Sequence, residues 1–133
     1  SDPAKHPEHA WKVVREAETA GPGLFLKTHP KSENVWTDAT FAKDGNSNQT
    51  ICVFKKKDFD ADPTCFSATE HGKIVHFEYN KAGDEVWASV WDRKGALIVY
   101  DDKTLKEKAR IEADWMVTPT GKWNVYNTVH DVY

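Results

Sequence analysis

No run of 18 apolar residues occurs in the 133-residue chain, so no segment reads as a membrane-spanning helix. The start, Ser1-Asp2-Pro3-Ala4-Lys5, is followed by no apolar core of the secretory type. A processed or excised chain would lack one as well, so export stays open. Basic residues are not in excess: 18 Lys and Arg face 21 Asp and Glu, for a net charge of −3. That balance argues against a nucleic-acid-binding face, which must be basic. The one basic run, Lys55-Lys56-Lys57, is bordered by Asp58, Asp60 and Asp62 and reads as a solvated turn or strand edge. No CxxC occurs, and CxxCH, the c-type haem attachment signature, is absent. GxSxG, P-loop and HExxH motifs are missing too. Helical periodicity is nearly absent.

What is present describes a folded, soluble domain: 39% apolar residues, 29% charged residues and six Trp. The only cysteines, Cys52 and Cys65, lie 13 apart. They suit either a disulfide in an exported protein or two small buried residues on neighbouring strands.

Gly, Pro, Asn and Asp clusters cut the chain into short β-rich runs, which predicts an all-β fold. Strands are expected at Ala10–Ala17, Leu24–Thr28, Val35–Phe41, Gln49–Lys56, Thr64–Thr69, Lys73–Phe77, Val86–Trp91, Ala96–Tyr100 and Lys106–Ile111. A further copy begins at Met116-Val117, turns at Thr118-Pro119-Thr120-Gly121-Lys122 and continues through Trp123–Thr128. The pairs Val35-Trp36, Val86-Trp87 and Val125-Tyr126 recur at spacings of 51 and 39. Such periods, with four short strands each, mark β-propeller blades. Trp36 and Trp87 then read as blade-packing residues. The expected division is an outer strand of a preceding blade (1–20), a blade (21–72), a second blade (73–114) and a half blade (115–133). An open arc leaves blade faces exposed, so the chain is expected to belong to a longer propeller or to pair with other copies.

Four segments carry a family resemblance: Leu24-Phe25-Leu26-Lys27-Thr28-His29-Pro30-Lys31-Ser32, Glu78–Trp91, Val99–Lys106 and Thr118–Tyr133. Together they closely resemble the C-terminal end of cytochrome cd1 nitrite reductase, over essentially the whole chain. The resemblance implies antiparallel four-stranded blades, about two and a half of an eight-bladed propeller that holds haem d1. It implies a periplasmic, dissimilatory reduction of nitrite to nitric oxide by one electron. It places the iron's axial His, the two distal histidines and a cytochrome c domain with haem c outside the matched region. The fragment alone is then expected to be inactive. Implied partners are the remaining blades, the cytochrome c domain, a small electron-donor protein and a second copy or other self-association, with no nucleic acid or membrane. Related propellers that bind or help to make haem d1 without turnover share parts of the pattern. A self-assembling fragment is a third reading.

The resemblance singles out four cofactor-side residues and no catalytic or metal-binding one. Thr120 and Gly121 match a loop that lines the cofactor, where a hydroxyl and a bare backbone can approach a carboxylated macrocycle. His76 stands where the family has Gln, a departure that still leaves a hydrogen-bond donor. Trp91 matches a Trp near the macrocycle, although a blade-core role is equally consistent with it. His6 and His9 have His-x-x-His spacing but no third ligand. His29, His71 and His130 read as turn or structural residues.

Overall fold

A computed structural model describes residues 3–116 and 125. Two four-stranded antiparallel sheets follow one another along the chain, each in sequential order. The first contains β1 (Leu26–Thr28), β2 (Asn34–Thr37), β3 (Thr50–Lys55) and β4 (Thr64–Ser67). The second contains β5 (Lys73–Tyr79), β6 (Glu85–Trp91), β7 (Ala96–Asp101) and β8 (Glu107–Glu112). Short 3-10 helices lie at Pro7–His9 and Ser47–Gln49.

The turns form because their side chains capture backbone donors. Asn80 Oδ1 accepts the N–H groups of Gly83, Asp84 and Glu85 at 2.9, 3.2 and 3.3 Å. Gly83 takes φ 78°, a region that glycine enters without a Cβ penalty. Asp101 Oδ1 accepts Thr104 N at 2.7 Å and Thr104 Oγ1 at 2.8 Å, which turns β7 back towards β8.

Side chains alternate across the first sheet. Trp36, Ile51 and Val53 face the second sheet and join Ile74, Phe77, Val86, Val90, Ile98 and Tyr100 in one core. Val35, Cys52 and Phe54 point the other way and are covered by Ala20 and Phe59. Both faces of β2 and β3 are therefore buried. The outer strand β8 is exposed throughout and carries charges of both signs, which protects its open edge from unwanted pairing.

Cys52 and Cys65 face each other across β3 and β4 and form a disulfide, with 4.1 Å between their Cα atoms. They are neighbours on adjacent strands as well as a bonded pair. Two expectations need correction. Ala10–Ala17 forms no strand. Trp11 has φ 60° and is 97% exposed, and Val13 and Val14 are exposed beside it. A strand needs a neighbouring edge, and none of the described strands pairs with this run. β2 stops at Thr37 instead of reaching Phe41, because Asp38 turns its carboxylate onto the backbone ahead of β1.

A buried polar knot joins the sheets at the rim that carries the β1–β2 and β5–β6 turns. The Asp102 carboxylate accepts Ser32 Oγ at 2.7 Å, Trp36 Nε1 at 2.9 Å and Tyr79 OH at 2.7 Å. Burial, reinforced by Asp102, drives the Tyr79 phenol far above its ordinary titration range, so it stays a donor.

Candidate functional site at the converging edge strands

β1 and β5 are the edge strands at which the two sheets meet. Between them runs a second buried network, built around a break in the β5–β6 ladder. Val75 pairs with Ser89 and Phe77 with Ala88, so His76 is an extra residue in a bulge. It takes φ 63°, uncommon for a non-glycine residue and held here by its surroundings.

Asp38 is one of those surroundings. Its Oδ1 accepts Leu24 N at 2.7 Å, and its Oδ2 accepts Phe25 N at 3.1 Å and His76 N at 3.4 Å. This carboxylate is buried, and backbone N–H groups of Leu24, Phe25 and His76 supply its solvation. The His76 ring stacks on Phe25 with 4.6 Å between centroids and an interplanar angle of 17°.

The His76 imidazole is only 1% exposed and points its Nε2 at Glu78 Oε1, 3.0 Å away. The other oxygen, Glu78 Oε2, lies 3.0 Å from Lys27 Nζ of β1. The Glu78 side chain is 4% exposed and that of Lys27 is 21% exposed. The series His76–Glu78–Lys27 thus runs from the buried bulge to the surface of the inner edge.

Trp91 lies at the end of β6, opposite Lys73. It is 38% exposed and lines a cavity of about 280 Å³ with Gly45, Asn48, Gln49, Gly72 and Lys73. His76 and Trp91 are therefore parts of the same β5–β6 pair, with Lys73, the partner of Trp91, three residues before His76 along β5. His76 is enclosed by side chains of this chain, whereas the Trp91 indole offers an open face. Thr120, Gly121 and His130 lie outside the described residues.

The other histidines are accounted for locally. His6 and His9 flank Glu8, at 3.6 and 3.4 Å. His71 meets Asp92 at 3.4 Å, and the His29 ring packs at a tilt against Tyr79. Among the described residues no group of three or more His, Cys, Asp or Glu is arranged to hold a metal ion.

Asp38, Glu78 and Lys27 were not singled out by the sequence. Glu78 and Lys27 stand within recognisable segments, but nothing local marks them as partners 51 residues apart. The one available signal was a Glu two positions after a His in a strand of apolar residues.

The two sheets, each a sequential four-stranded meander sharing one apolar core with the next, are consecutive blades of a partial β-propeller. The cytochrome D1 heme domain model matches residues 1–128, and the chain belongs to that family. It is 44% identical to a nitrite reductase of Stutzerimonas stutzeri over 98% of its own length and 26% of the relative's. It is 37% identical to a dihydro-heme d1 dehydrogenase of Pseudomonas aeruginosa, over 90% of this chain and 23% of that protein. Among solved structures, the dihydro-heme d1 dehydrogenase NirN in complex with DHE superposes with a TM-score of 0.74 at 33% identity. That match covers 86% of this chain and 23% of the other. The chain spans about a quarter of the length of these relatives.

Proposed function

We propose that this chain supplies C-terminal blades of a periplasmic, haem d1-dependent nitrite reductase and forms one side of its cofactor pocket. The observation that carries this reading is the 44% identity to a nitrite reductase across 98% of the chain. The donor set suits the rim of a carboxylated, aromatic macrocycle. An exposed indole at Trp91 offers a stacking face, and a cation at Lys27 lies on the inner edge.

When bound, haem d1 supplies the one-electron reduction of nitrite to nitric oxide. The role of this chain is to bind and orient the ring. Trp91 walls it, Thr120 and Gly121 donate hydrogen bonds to it, and His76 supports the pocket from the enclosed bulge. Haem c, the iron ligand and the proton donors to nitrite belong to the parts of the protein outside these blades. The partners are those parts, a small electron-donor protein and a second copy.

The second reading, a haem d1-binding propeller that acts in cofactor formation, is supported by the 37% identity to the dehydrogenase. The full protein that carries these blades, purified and loaded with haem d1, separates the two readings. Nitric oxide formation from nitrite, with long-wavelength d1 absorption, supports the reductase. Oxidation of a dihydro-haem without nitric oxide formation supports the alternative. Failure to take up haem d1 at all overturns both.

A further inference from the structure

The two sheets repeat each other rung by rung. In the first, Trp36 of β2 stands opposite Lys27 of β1 and Val53 of β3. In the second, Trp87 of β6 stands opposite Glu78 of β5 and Val99 of β7. Five residues turn β1 into β2, and five turn β5 into β6, so the two tryptophans hold the same place in equal hairpins. Trp36 belongs to the core that the sheets share. Trp87 stands between Val86 and Ala88, both members of that core, so its side chain faces away from the first sheet. The equivalence breaks at the indole nitrogen. Trp36 Nε1 donates to the Asp102 carboxylate of the following sheet at 2.9 Å. Trp87 Nε1 is buried, and among the described residues no acceptor meets it. A buried N–H without an acceptor bears the full cost of its lost hydration, and native structures seldom leave one so.

We infer that the Trp87 face of the second sheet is an interface for a third sheet of the same design, and that this third sheet places an aspartate or glutamate carboxylate on Trp87 Nε1. The covered face in this same chain names the occupant. What lies on Trp36 is the next sheet, and the acceptor there is the residue that directly follows its third strand, β7. A carboxylate also answers an N–H more strongly than a neutral acceptor does. The relatives extend well beyond the quarter of their length that this chain spans, which leaves ample chain for such a sheet. One difference between the interfaces follows from the turns. Ser32 gives Asp102 a second donor from the first sheet, and its counterpart in the equal turn is Gly83, which has no hydroxyl. Trp87 is then the donor that this sheet holds for the incoming carboxylate. The contact needs the repeating sheets and does not need haem d1.

A crystal structure of the full protein that carries these blades tests the contact directly. The expected result is a carboxylate oxygen within about 3.2 Å of Trp87 Nε1, on the residue that follows the third strand of the adjoining sheet. A backbone carbonyl, a water or no polar atom in that place overturns the inference. Urea unfolding of the full protein adds a readout that apolar packing alone would not move. Trp87→Phe keeps an aromatic ring and loses the N–H, and replacing the acceptor with alanine removes the carboxylate. Each single change is expected to lower the folding equilibrium constant about tenfold, the worth of one hydrogen bond to a charged group. The double variant should lose little more than either single one, because both changes remove the same contact. Losses that simply add overturn the inference and leave the haem d1 reading, with its own test, unaffected.

Discussion

The Trp36 indole donates its Nε1–H to the Asp102 carboxylate over 2.9 Å, joining two residues 66 positions apart and two different sheets. Ser32 and Tyr79 donate to the same carboxylate, so loop, inner strand and outer turn meet on one anion. The carboxylate is almost wholly buried, and its charge is spread over donors that have no other acceptor of equal strength. The register between the blades is set here by direction as well as by apolar contact.

Asp102→Ala should destabilise the protein by about 3 kcal/mol, since it leaves buried donors on Trp36 and Tyr79 without their acceptor. Urea unfolding followed by Trp fluorescence measures it. A loss below about 0.5 kcal/mol, the level of an ordinary surface substitution, would show that the knot contributes little.

His29 should make the fold less stable below neutral pH. Burial first, then the positive charges of Lys31 and Lys56, hold its imidazole below the ordinary value of 6.5, with Asp102 opposing them. The unfolded chain therefore binds the proton more readily than the folded one. The resulting stability is present above 6.5 and is lost as pH falls through the lowered folded value. Melting temperatures between pH 8 and 5 should decline in wild type and decline less in His29→Gln. Parallel curves would remove His29 as the source.

Reduction of the Cys52–Cys65 disulfide should cost about 3 kcal/mol, the amount expected for closing a loop of this length. Cys65→Ser should melt at the same lowered temperature and show no further response to dithiothreitol. A wild type indifferent to the reductant would contradict this.

Gly83→Ala should be strongly destabilising, because a Cβ there strikes the His29 ring and the residue sits at φ 78°. We expect a loss of more than about 1 kcal/mol by thermal unfolding, the scale for an incompatible Gly→Ala change. Gly45→Ala is the control: no atom lies within 4 Å of its added Cβ, and its stability should change little.

Eight strands were readable because their turns are written locally. Asn80 and Asp101 each cap donors three to five residues away, so the signal and its effect lie in one short segment. The aromatic repeat was readable for the same reason, and Trp36 does pack in the core. Ala10–Ala17 misled because alternation describes a strand's faces and says nothing of whether an edge is available to it. The Asp38–His76 and Lys27–Glu78 contacts escaped notice because their partners stand 38 and 51 residues apart and meet only once both sheets have formed. His76 and Trp91 were singled out through resemblance to a family. Their surroundings, one enclosed and one open, came from the packing.

The bulge at His76 separates chemistry from architecture. Val75 and Phe77 occupy consecutive rungs opposite Ser89 and Ala88, so His76 is supernumerary to the ladder. Its side chain takes no part in the alternation that sorts its neighbours between the two faces. A different residue can stand there while every rung above and below keeps its partner, provided it tolerates the left-handed backbone. The blade thus holds an interchangeable position in a strand that is otherwise fixed, and relatives can differ at this point without redesigning the sheet that carries it.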